Sequence, residues 1–599
     1  MAQLACFFRS CQPTRAGTDA PQILSAEIVV DSSVAEKKSR ERLERIVRRH
    51  LEHMSDPWKI AQYVDDALQK DRFDEALLLT QKASKDVQVV VSWNHLINYQ
   101  LGKDNIKGAV RLFNEMKKRG QLPNVQTFTI IFRGCARSNH PKLAIAEAMK
   151  HYNMLLSDSR LQPNSTHLNA VLNVCARACD LDSLFLAAES INESTRAPTA
   201  YTYTTIFNAL RHHALSSVRD VSQEQQQRNV QKAIDRAKGI WTEVVDKWRR
   251  GRLVIDEELV CAMGRLLLLS RSRDEKRGIL DLLQQSMNIP NLVASPDQHS
   301  DALADPDMHN IAAPGSSTPA PVLAPTATAT GAAIYAVPGR NTLALVLTIL
   351  ASAKLTTCGI KYWNLMVSHY GIVPDTDNWL RFFGMLKVAR ASAHAASILD
   401  ILPAALTHPL PYRIAMEACV RDNVNANAVA NADRVLDAML ARLPVPDLQS
   451  LRLYLRVALV SHYQLREKAQ AGNEAAAKRG YGTQIIAALD RLWEPYKHTH
   501  YHYFKASSST SSSSSSSSAQ AQAPGKGARD ARGGAPLGET YNGKREVVAL
   551  ARLMFSAFNK VQNERMLPDD EIRKYRPRYA KINREIQAFF SDQRQMRLS

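Results

Sequence analysis

The feature that most constrains the fold of this 599-residue chain is an apolar triplet that returns about every 35 residues. In each copy the three side chains are spaced i, i+3, i+4, which places them on one face of a short helix. The leading residues of successive copies lie 35, 40 and 35 residues apart. The four triplets are Trp93, Leu96 and Ile97; Phe128, Ile131 and Phe132; Leu168, Val171 and Leu172; and Tyr203, Ile206 and Phe207.

A second helix is predicted between successive triplets. Its clearest apolar stripe is Ile106, Ala109, Val110 and Phe113. The last three triplets are each preceded by a proline, which ends the helix before it; these are Pro123, Pro163 and Pro198. A helix pair of this kind cannot bury its apolar faces alone and stacks on its neighbours. The sequence therefore predicts an all-α fold, an α-solenoid of helix-turn-helix repeats.

Composition divides the chain into further segments. Clear repeats occupy residues 57–290, and a more degenerate helical array occupies residues 341–505. Residues 293–338 are rich in Pro, Ala, Ser and Thr, and residues 506–540 contain a serine run, so both predict disordered linkers. Residues 541–599 predict basic C-terminal helices.

Within these arrays several boundaries are less regular. A weaker repeat is predicted near Glu257, and a polar insertion at about residues 216–228 splits the unit that starts at Ala200. In the second array the predicted stripe leaders are Ala344, Trp379, Ala415 and Leu451.

The charge balance favours a polyanionic partner. Lysine and arginine number 77 against 58 aspartates and glutamates, a formal net charge of +19. Such an excess attracts nucleic acid. The first 18 residues contain Arg9 and Arg15 and no acid, so residues 1–35 are typical of a mitochondrial presequence, although a disordered N-terminus could have the same composition. The longest apolar run, Leu343 to Leu355, is too short to span a bilayer.

The best copy of the repeat is "VVSWNHLINYQLGKDNIKGAVRLFNEMKKRGQLPN", residues 90–124. An aromatic residue at the fourth position, followed by Asn or Thr and closed by Pro and a small polar residue, resembles the pentatricopeptide repeat family. The resemblance implies a right-handed α-solenoid that binds single-stranded RNA and reads one base per repeat. Tetratricopeptide repeats share the two-helix plan, but their Trp/Leu-Gly/Tyr pattern is missing here.

In the resembled family, a base is read by the fifth residue of a repeat together with its last. Carried over, the pairs are Asn94 with Asn124, Thr129 with Asn164, and Asn169 with Thr199, while Thr204 has no clear partner because of the insertion. By the family's rule the first pair favours a pyrimidine, the second adenine, and the third a pyrimidine. The second residues of these repeats would pack against bases; they are Val91, Gln126, Thr166 and Tyr201. Taken singly, each of these residues could also be an ordinary solvated position. In the second array, Leu345 and Leu380 occupy the reading position, so base reading is not expected there.

Residues 56–215 look most like fungal mitochondrial members of the family that process the 5′ end of small-subunit ribosomal RNA. The resemblance implies binding of the single-stranded precursor of the mitochondrial small-subunit rRNA in the matrix, and action in small-subunit assembly. Two alternatives remain at this stage: a mitochondrial translational activator or mitoribosomal subunit, and a tetratricopeptide-like protein-binding scaffold.

Enzymatic motifs are missing from the sequence. It contains no Walker-type glycine loop, no HExxH and no Gly-x-Ser-x-Gly element, so no catalytic residue and no cofactor is expected. Cys135 and Cys175 fall at the same position of consecutive repeats, which favours packing over metal binding. His498, His500 and His502 alternate in a way that could hold a metal or stack on bases, but a polar helix end explains them better. Two basic segments, 37–49 and 573–597, are candidates for contact with phosphate or with a ribosomal surface.

Overall fold

The computed structural model describes residues 40–598 except 217–221, 294–333, 405, 407 and 506–536. Every regular element in these ranges is helical. The presequence-like residues 1–35 lie outside the described ranges, as do most of both predicted linkers. The described chain contains no helix that is both long and apolar enough to cross a bilayer.

The chain forms two compact units, which we call unit 1 and unit 2. Unit 1 ends at Arg219 and unit 2 begins at Asp220. The helices of unit 1 are α1 (40–53), α2 (Pro57–Gln69), α3 (Phe73–Ala83), α4 (Val90–Gly102), α5 (Ile106–Lys118), α6 (Val125–Arg137), α7 (Pro141–Ser157), α8 (Ser165–Arg177), α9 (Leu181–Ala188) and α10 (Ala200–Ser216).

Unit 1 is a stack of helical hairpins, as the 35-residue period predicts. The first helices of the hairpins, α2, α4, α6, α8 and α10, pack each on the next, and each of the first four also packs on its own second helix. The predicted triplets form the core: Trp93, Phe132 and Phe207 are fully buried. Burial of each such side chain contributes roughly 1.5–3 kcal/mol to stability, so single hairpins depend on their neighbours.

Cys135 and Cys175 continue these stripes at i+7. Both side chains are buried, and burial raises the pKa of each thiol to about 12. A thiol in this state behaves as a small apolar group. The packing role predicted from their equivalent positions agrees with this environment.

Unit 2 repeats the same architecture over a longer segment. Its helices are α11 (Gln223–Arg249), α12 (Glu257–Leu267), α13 (Arg273–Met287), α14 (Arg340–Ala353), α15 (Thr356–Asn364), α16 (Thr376–Val388), α17 (Ser392–Ile401), α18 (Leu410–Arg421), α19 (Ala428–Arg442), α20 (Leu448–Val460), α21 (Tyr463–Gln470), α22 (Glu474–His500), α23 (Leu537–Asn563), α24 (Asp569–Arg573) and α25 (Arg576–Leu598). The first helices α12, α14, α16, α18, α20 and α22 pack in succession. The weak repeat predicted near Glu257 is the hairpin of α12 and α13.

Two predicted boundaries are wrong. The polar insertion was expected to reach residue 228, but α11 already begins at Gln223 with Ser222 as its N-cap. The first linker was expected to reach residue 338, but Trp248 Nε1 donates to Ile334 O at 2.8 Å and Ala336 N donates to Ser286 O at 3.0 Å. These bonds hold the end of the predicted linker against α11 and α13.

One stripe leader in unit 2 is also wrong, and another stripe begins one turn earlier than predicted. The buried stripe of α14 is Leu343, Val346 and Leu347, and that of α18 is Tyr412, Ala415 and Met416. The leader in α14 is therefore Leu343, not Ala344. The predicted triplet of α18, Ala415, Ala418 and Cys419, is fully buried, and Tyr412 precedes it on the same face. Helix α14 is almost continuously apolar, so its sequence fits more than one register. Leu345, predicted at a reading position, is instead buried, and the residue after the leader is Ala344.

Candidate nucleic-acid interface

The predicted reading residues of unit 1 meet where each first helix begins. Asn94 Nδ2 donates to Asn124 Oδ1 at 3.5 Å, and Asn169 Nδ2 donates to Thr199 Oγ1 at 3.4 Å. The members of each pair are 30 residues apart in the sequence and belong to consecutive hairpins. The fold therefore brings together both pairs at equivalent places, which we call the first and third sites. The first and third sites, together with the second site described below, lie along one edge of unit 1, which we call the reading edge.

The last residue of each repeat also caps the next first helix. Asn124 Oδ1 accepts from Thr127 N at 3.0 Å, and Asn164 Oδ1 accepts from Thr166 N at 3.1 Å. A side-chain oxygen in this place satisfies an N–H group that the helix leaves unpaired. Because Oδ1 is turned toward the helix, the amide nitrogen Nδ2 of each asparagine is the group left to face a ligand. Both asparagines are exposed.

The second site, formed by Thr129 and Asn164, is built differently. Thr129 Oγ1 donates to Val125 O at 3.1 Å within its own helix. Asn164 N donates to His167 Nδ1 at 3.1 Å, and His167 Nε2 lies 3.3 Å from Val125 O. Nδ1 is thus an acceptor, so the ring is neutral and carries its proton on Nε2. Here the imidazole, rather than a direct bond between the pair, connects the two hairpins.

Thr204 is a buried predicted reading residue, as are Asn94 and Thr129. Its Oγ1 is buried and has no hydrogen-bond partner within the described residues. Thr204 therefore differs from Asn94 and Thr129 in its unpaired hydroxyl, not in its burial.

The second residue of each repeat forms an exposed row beside the sites. Val91 and Tyr201 are each 54% exposed, and Gln126 and Thr166 are also exposed. Large apolar side chains in such positions are free to cover the face of a flat ligand. These four residues are the ones predicted to pack against bases.

Trp58 extends this row and was missed by the sequence analysis. It is 69% exposed and stands two residues after the N-cap Asp56, as Gln126 stands two residues after Asn124. The reading position of its repeat holds buried Ala61, and the next N-cap position holds buried Val89. Trp58 therefore offers an indole ring with no polar pair beside it. The signal that could have found it is its place after a capping Asp-Pro.

Unit 2 fills the equivalent places with an ion pair. Arg413 follows the stripe leader Tyr412, and Asp447 caps α20, so they stand where Asn94 and Asn124 stand in unit 1. Arg413 Nε and Nη2 donate to the two Asp447 carboxylate oxygens at 2.8 and 2.5 Å. Burial acts to raise the pKa of Asp447, but Arg413 and the N–H of Ser450 outweigh it and lower that pKa. The polar groups at this place are already satisfied by each other.

Basic side chains flank both ends of the described chain. Helix α1 exposes Arg42, Arg45, Arg48 and Arg49, and α25 exposes Arg576, Lys581 and Arg584. By contrast, His500 of the alternating histidines is engaged within unit 2: its ring stacks on Phe504 at 4.6 Å, and its Nε2 lies 3.9 Å from a Glu585 oxygen. The described residues contain no cluster of three or more metal-ligand side chains.

Acidification is expected to destabilise unit 1 through two buried histidines. Burial lowers the pKa of His151 and of His167 below the ordinary value of 6.5. The unfolded chain then binds protons that the folded chain does not, so the stability is fully present above pH 6.5 and is lost as pH falls through the folded pKa values. Thermal unfolding followed from pH 8 to 5 is expected to show a falling midpoint.

Two variants test whether the buried histidines cause this pH dependence. His167→Thr should flatten the dependence of the unfolding midpoint on pH, whereas His140→Gln, at an exposed position, should leave it unchanged. An unchanged slope in His167→Thr would contradict the assignment.

These observations define the class: an α-helical repeat protein whose hairpins present matched polar pairs beside an exposed row of side chains. A model of the PPR repeat family matches residues 88–137. The chain therefore contains a segment that matches the pentatricopeptide repeat family.

Similar proteins share its sequence only over part of their length. It is 23% identical over 239 residues to pentatricopeptide repeat-containing protein 2, mitochondrial, of Schizosaccharomyces pombe, which covers 39% of this chain and 53% of that one. It is 34% identical over 98 residues to pentatricopeptide repeat-containing protein 1, mitochondrial, of Rattus norvegicus, covering 16% and 14%. The chain therefore spans about half of the first relative and a small part of the second. The crystal structure of PPR10 in complex with an 18-nt psaJ RNA element aligns over 86% of this chain and 70% of that one, with 13% identity and a TM-score of 0.30.

Proposed function

We propose that unit 1 binds single-stranded RNA along the reading edge. The observation that carries the proposal is that three consecutive hairpins place their polar pairs at equivalent positions, beside the exposed row that begins at Trp58. A periodic polar edge suits a ligand that repeats at the same interval, and one base per repeat is such a ligand. The formal charge of +19 adds sequence-independent affinity for phosphate.

The capping geometry supports a particular base selectivity. Asn124 and Asn164 each use Oδ1 for the helix cap and leave Nδ2 as a donor. A donor of this kind pairs with a ring nitrogen that carries a lone pair, as in cytosine N3 or adenine N1, and opposes the N–H of uracil or guanine. Together with the family's pyrimidine and adenine preferences, this favours cytosine at the first site and adenine at the second.

Within the cell, the proposed place of action is the mitochondrial matrix. Two of the similar proteins are named mitochondrial, and residues 1–18 have the composition of a presequence. The target we propose is the single-stranded precursor of the mitochondrial small-subunit rRNA. The protein would act without catalysis in maturation of its 5′ end and in small-subunit assembly, by holding the RNA in one conformation.

Crosslinking of the protein to RNA in cells, followed by sequencing, tests this target. A sharp peak at the 5′ boundary of the mitochondrial small-subunit rRNA is expected. Peaks confined to mRNA leaders would instead support a translational activator, and crosslinks spread over the mature rRNA would support a mitoribosomal subunit. The absence of RNA above background would favour a tetratricopeptide-like scaffold that binds protein.

Unit 2 is proposed to contribute without reading bases, because the Arg413–Asp447 pair occupies a reading place. The substitution Asp447→Asn retains a capping oxygen for α20 but removes the charge opposite Arg413. Since Arg413 is partly exposed, the expected loss is about 1–2 kcal/mol of stability in unit 2, with no change in RNA affinity. Hydrogen exchange of α18 and α20 and fluorescence anisotropy with RNA measure the two quantities.

The control for that experiment is Asp400→Asn. Asp400 pairs with Arg434 at 3.0 Å, but both side chains are at least half exposed, and such pairs contribute little. A loss of RNA affinity in Asp447→Asn with unchanged hydrogen exchange would contradict the structural assignment of the pair.

A further inference from the structure

We propose that the third residue of each following first helix, Thr127, His167 and Thr202, is a positioning residue for the reading pair of its site. The inference rests on the proposed function and extends it to residues that neither face the ligand nor belong to the pairs. Each of the three side chains is buried. Each also links two consecutive hairpins through hydrogen bonds.

Thr127 shows the arrangement at the first site. Its Oγ1 donates to Asn94 Oδ1 at 2.7 Å and accepts from Asn124 N at 3.2 Å. One hydroxyl thus contacts both members of the pair, the side chain of one and the backbone of the other. Because Asn94 Oδ1 is occupied, the amide of Asn94 is held with Nδ2 toward Asn124.

Thr202 repeats this geometry at the third site, 75 residues further along the chain. Its Oγ1 donates to Asn169 Oδ1 at 2.7 Å and accepts from Thr199 N at 2.9 Å. The two distances match those at the first site within a few tenths of an ångström. The same small network therefore recurs around both asparagine pairs.

His167 performs the same two tasks with a different side chain. Its Nδ1 accepts from Asn164 N, the N–H of its own N-cap, and its Nε2 donates to Val125 O on the preceding first helix. Thr129 Oγ1 donates to that same carbonyl. No amide needs to be oriented at this site, since Thr129 takes the place of an asparagine, and the imidazole is long enough to reach the backbone.

Ser92 provides a comparison where no polar pair exists. It is the third residue of α4, and the corresponding pair position holds Ala61 and Val89. Ser92 Oγ is buried and has no hydrogen-bond partner among the described residues. The hydrogen bonds of the third residue are thus present where the pair is polar and missing where the pair is apolar. They therefore depend on the pair and not on the start of the helix alone.

The physical consequence concerns the asparagine amide. The two ends of an amide differ in chemistry but hardly in shape, so an amide without a fixed partner can present either its oxygen or its nitrogen. Without the Thr127 hydroxyl, Asn94 can turn over, and Asn124 N loses its acceptor. Base selectivity at the first site should then fall, while the other sites keep theirs.

The test measures selectivity base by base with the full chain. Fluorescein-labelled single-stranded RNAs carry the central sequence C-A-U within uridines, and each central base is varied in turn; anisotropy gives Kd. Thr127→Val, which keeps the side-chain shape, is expected to lower the selectivity at one position about tenfold, the effect of one net hydrogen bond. Thr202→Val should do the same two bases further along. Thr127→Ser should restore selectivity to within about twofold, and Ser92→Ala should change nothing.

The outcomes separate this inference from the proposed function. If Thr127→Val weakens all RNAs equally, or leaves every selectivity unchanged, the positioning role is overturned while RNA binding stands. If the unmodified chain binds none of the RNAs, the proposed function fails, and this inference fails with it. Thermal unfolding of each variant shows whether a uniform loss comes from destabilisation of unit 1.

Discussion

Replacing Asn124 with aspartate is expected to reverse the base selectivity of a single position. Aspartate is nearly the same shape and also caps helices well, so one carboxylate oxygen can keep the bond from Thr127 N. The other oxygen then faces the base as an acceptor, in place of the Nδ2 donor. Uracil, whose N3 carries a hydrogen, should become the favoured pyrimidine, and cytosine should be rejected.

The expected size of this reversal is about a hundredfold change in the cytosine-to-uracil ratio of Kd. One hydrogen bond is lost with cytosine and one is gained with uracil, each contributing on the order of 1–1.5 kcal/mol. Asn164→Asp should act in the same sense at the neighbouring base, where adenine would give way to guanine. Anisotropy with RNAs that differ at one base measures both variants.

Asn105→Asp is the matched control for this experiment. Asn105 caps α5 through a 2.9 Å bond from Gly108 N, so it has the same capping chemistry, but it begins a second helix. Its replacement should leave every base preference as it is. Equal loss of affinity for all RNAs in Asn124→Asp, with no change of preference, would contradict the assignment of Asn124 as a reading residue.

Replacing Trp58 with alanine is expected to weaken RNA binding without changing base selectivity. The exposed indole offers a flat face, while Ala61 and Val89 provide no polar group to discriminate between bases. Stacking of a base on an aromatic ring contributes roughly 1–3 kcal/mol, which corresponds to a loss of about 5- to 150-fold in affinity. Because Trp58 is exposed, the stability of unit 1 should hardly change.

The controls for Trp58 separate stacking from general apolar contact. Trp58→Phe keeps an aromatic face and should retain most of the affinity. Tyr463→Ala removes an aromatic side chain of unit 2 that is 48% exposed and should have no effect. Unchanged affinity in Trp58→Ala would show that the bound RNA does not reach the first hairpin.

The sequence predicted unit 1 well because its triplets recur at nearly equal intervals of 35, 40 and 35 residues. Each triplet led by Phe128, Leu168 or Tyr203 has a proline before it, so only one register fits. In α14 apolar residues are nearly continuous, and the leader of its stripe moved by one residue. The proximity of the predicted pair members followed from the same period, whereas the unpaired hydroxyl of Thr204 did not, since it depends on the packing around α10.

The residues that the sequence did not reveal share a physical cause. Thr127 and Thr202 act through bonds to residues 33 positions away, and no local pattern shows such a bond. Trp58 lies in a repeat without a polar pair, so no reading position in the sequence points to it. The Arg413–Asp447 ion pair was not predicted either. The predicted stripe of α18 begins at Ala415, whereas Arg413 follows Tyr412, one turn earlier.

Mapping of crosslinked peptides on the purified full chain tests the central claim most directly. The chain would be irradiated with a bound single-stranded RNA that contains 4-thiouridine, digested, and analysed by mass spectrometry. The account predicts crosslinks in the first turns of α2, α4, α6, α8 and α10, at Trp58 and Tyr201 above all. Crosslinks confined to unit 2 or to the basic helices α1 and α25 would contradict it.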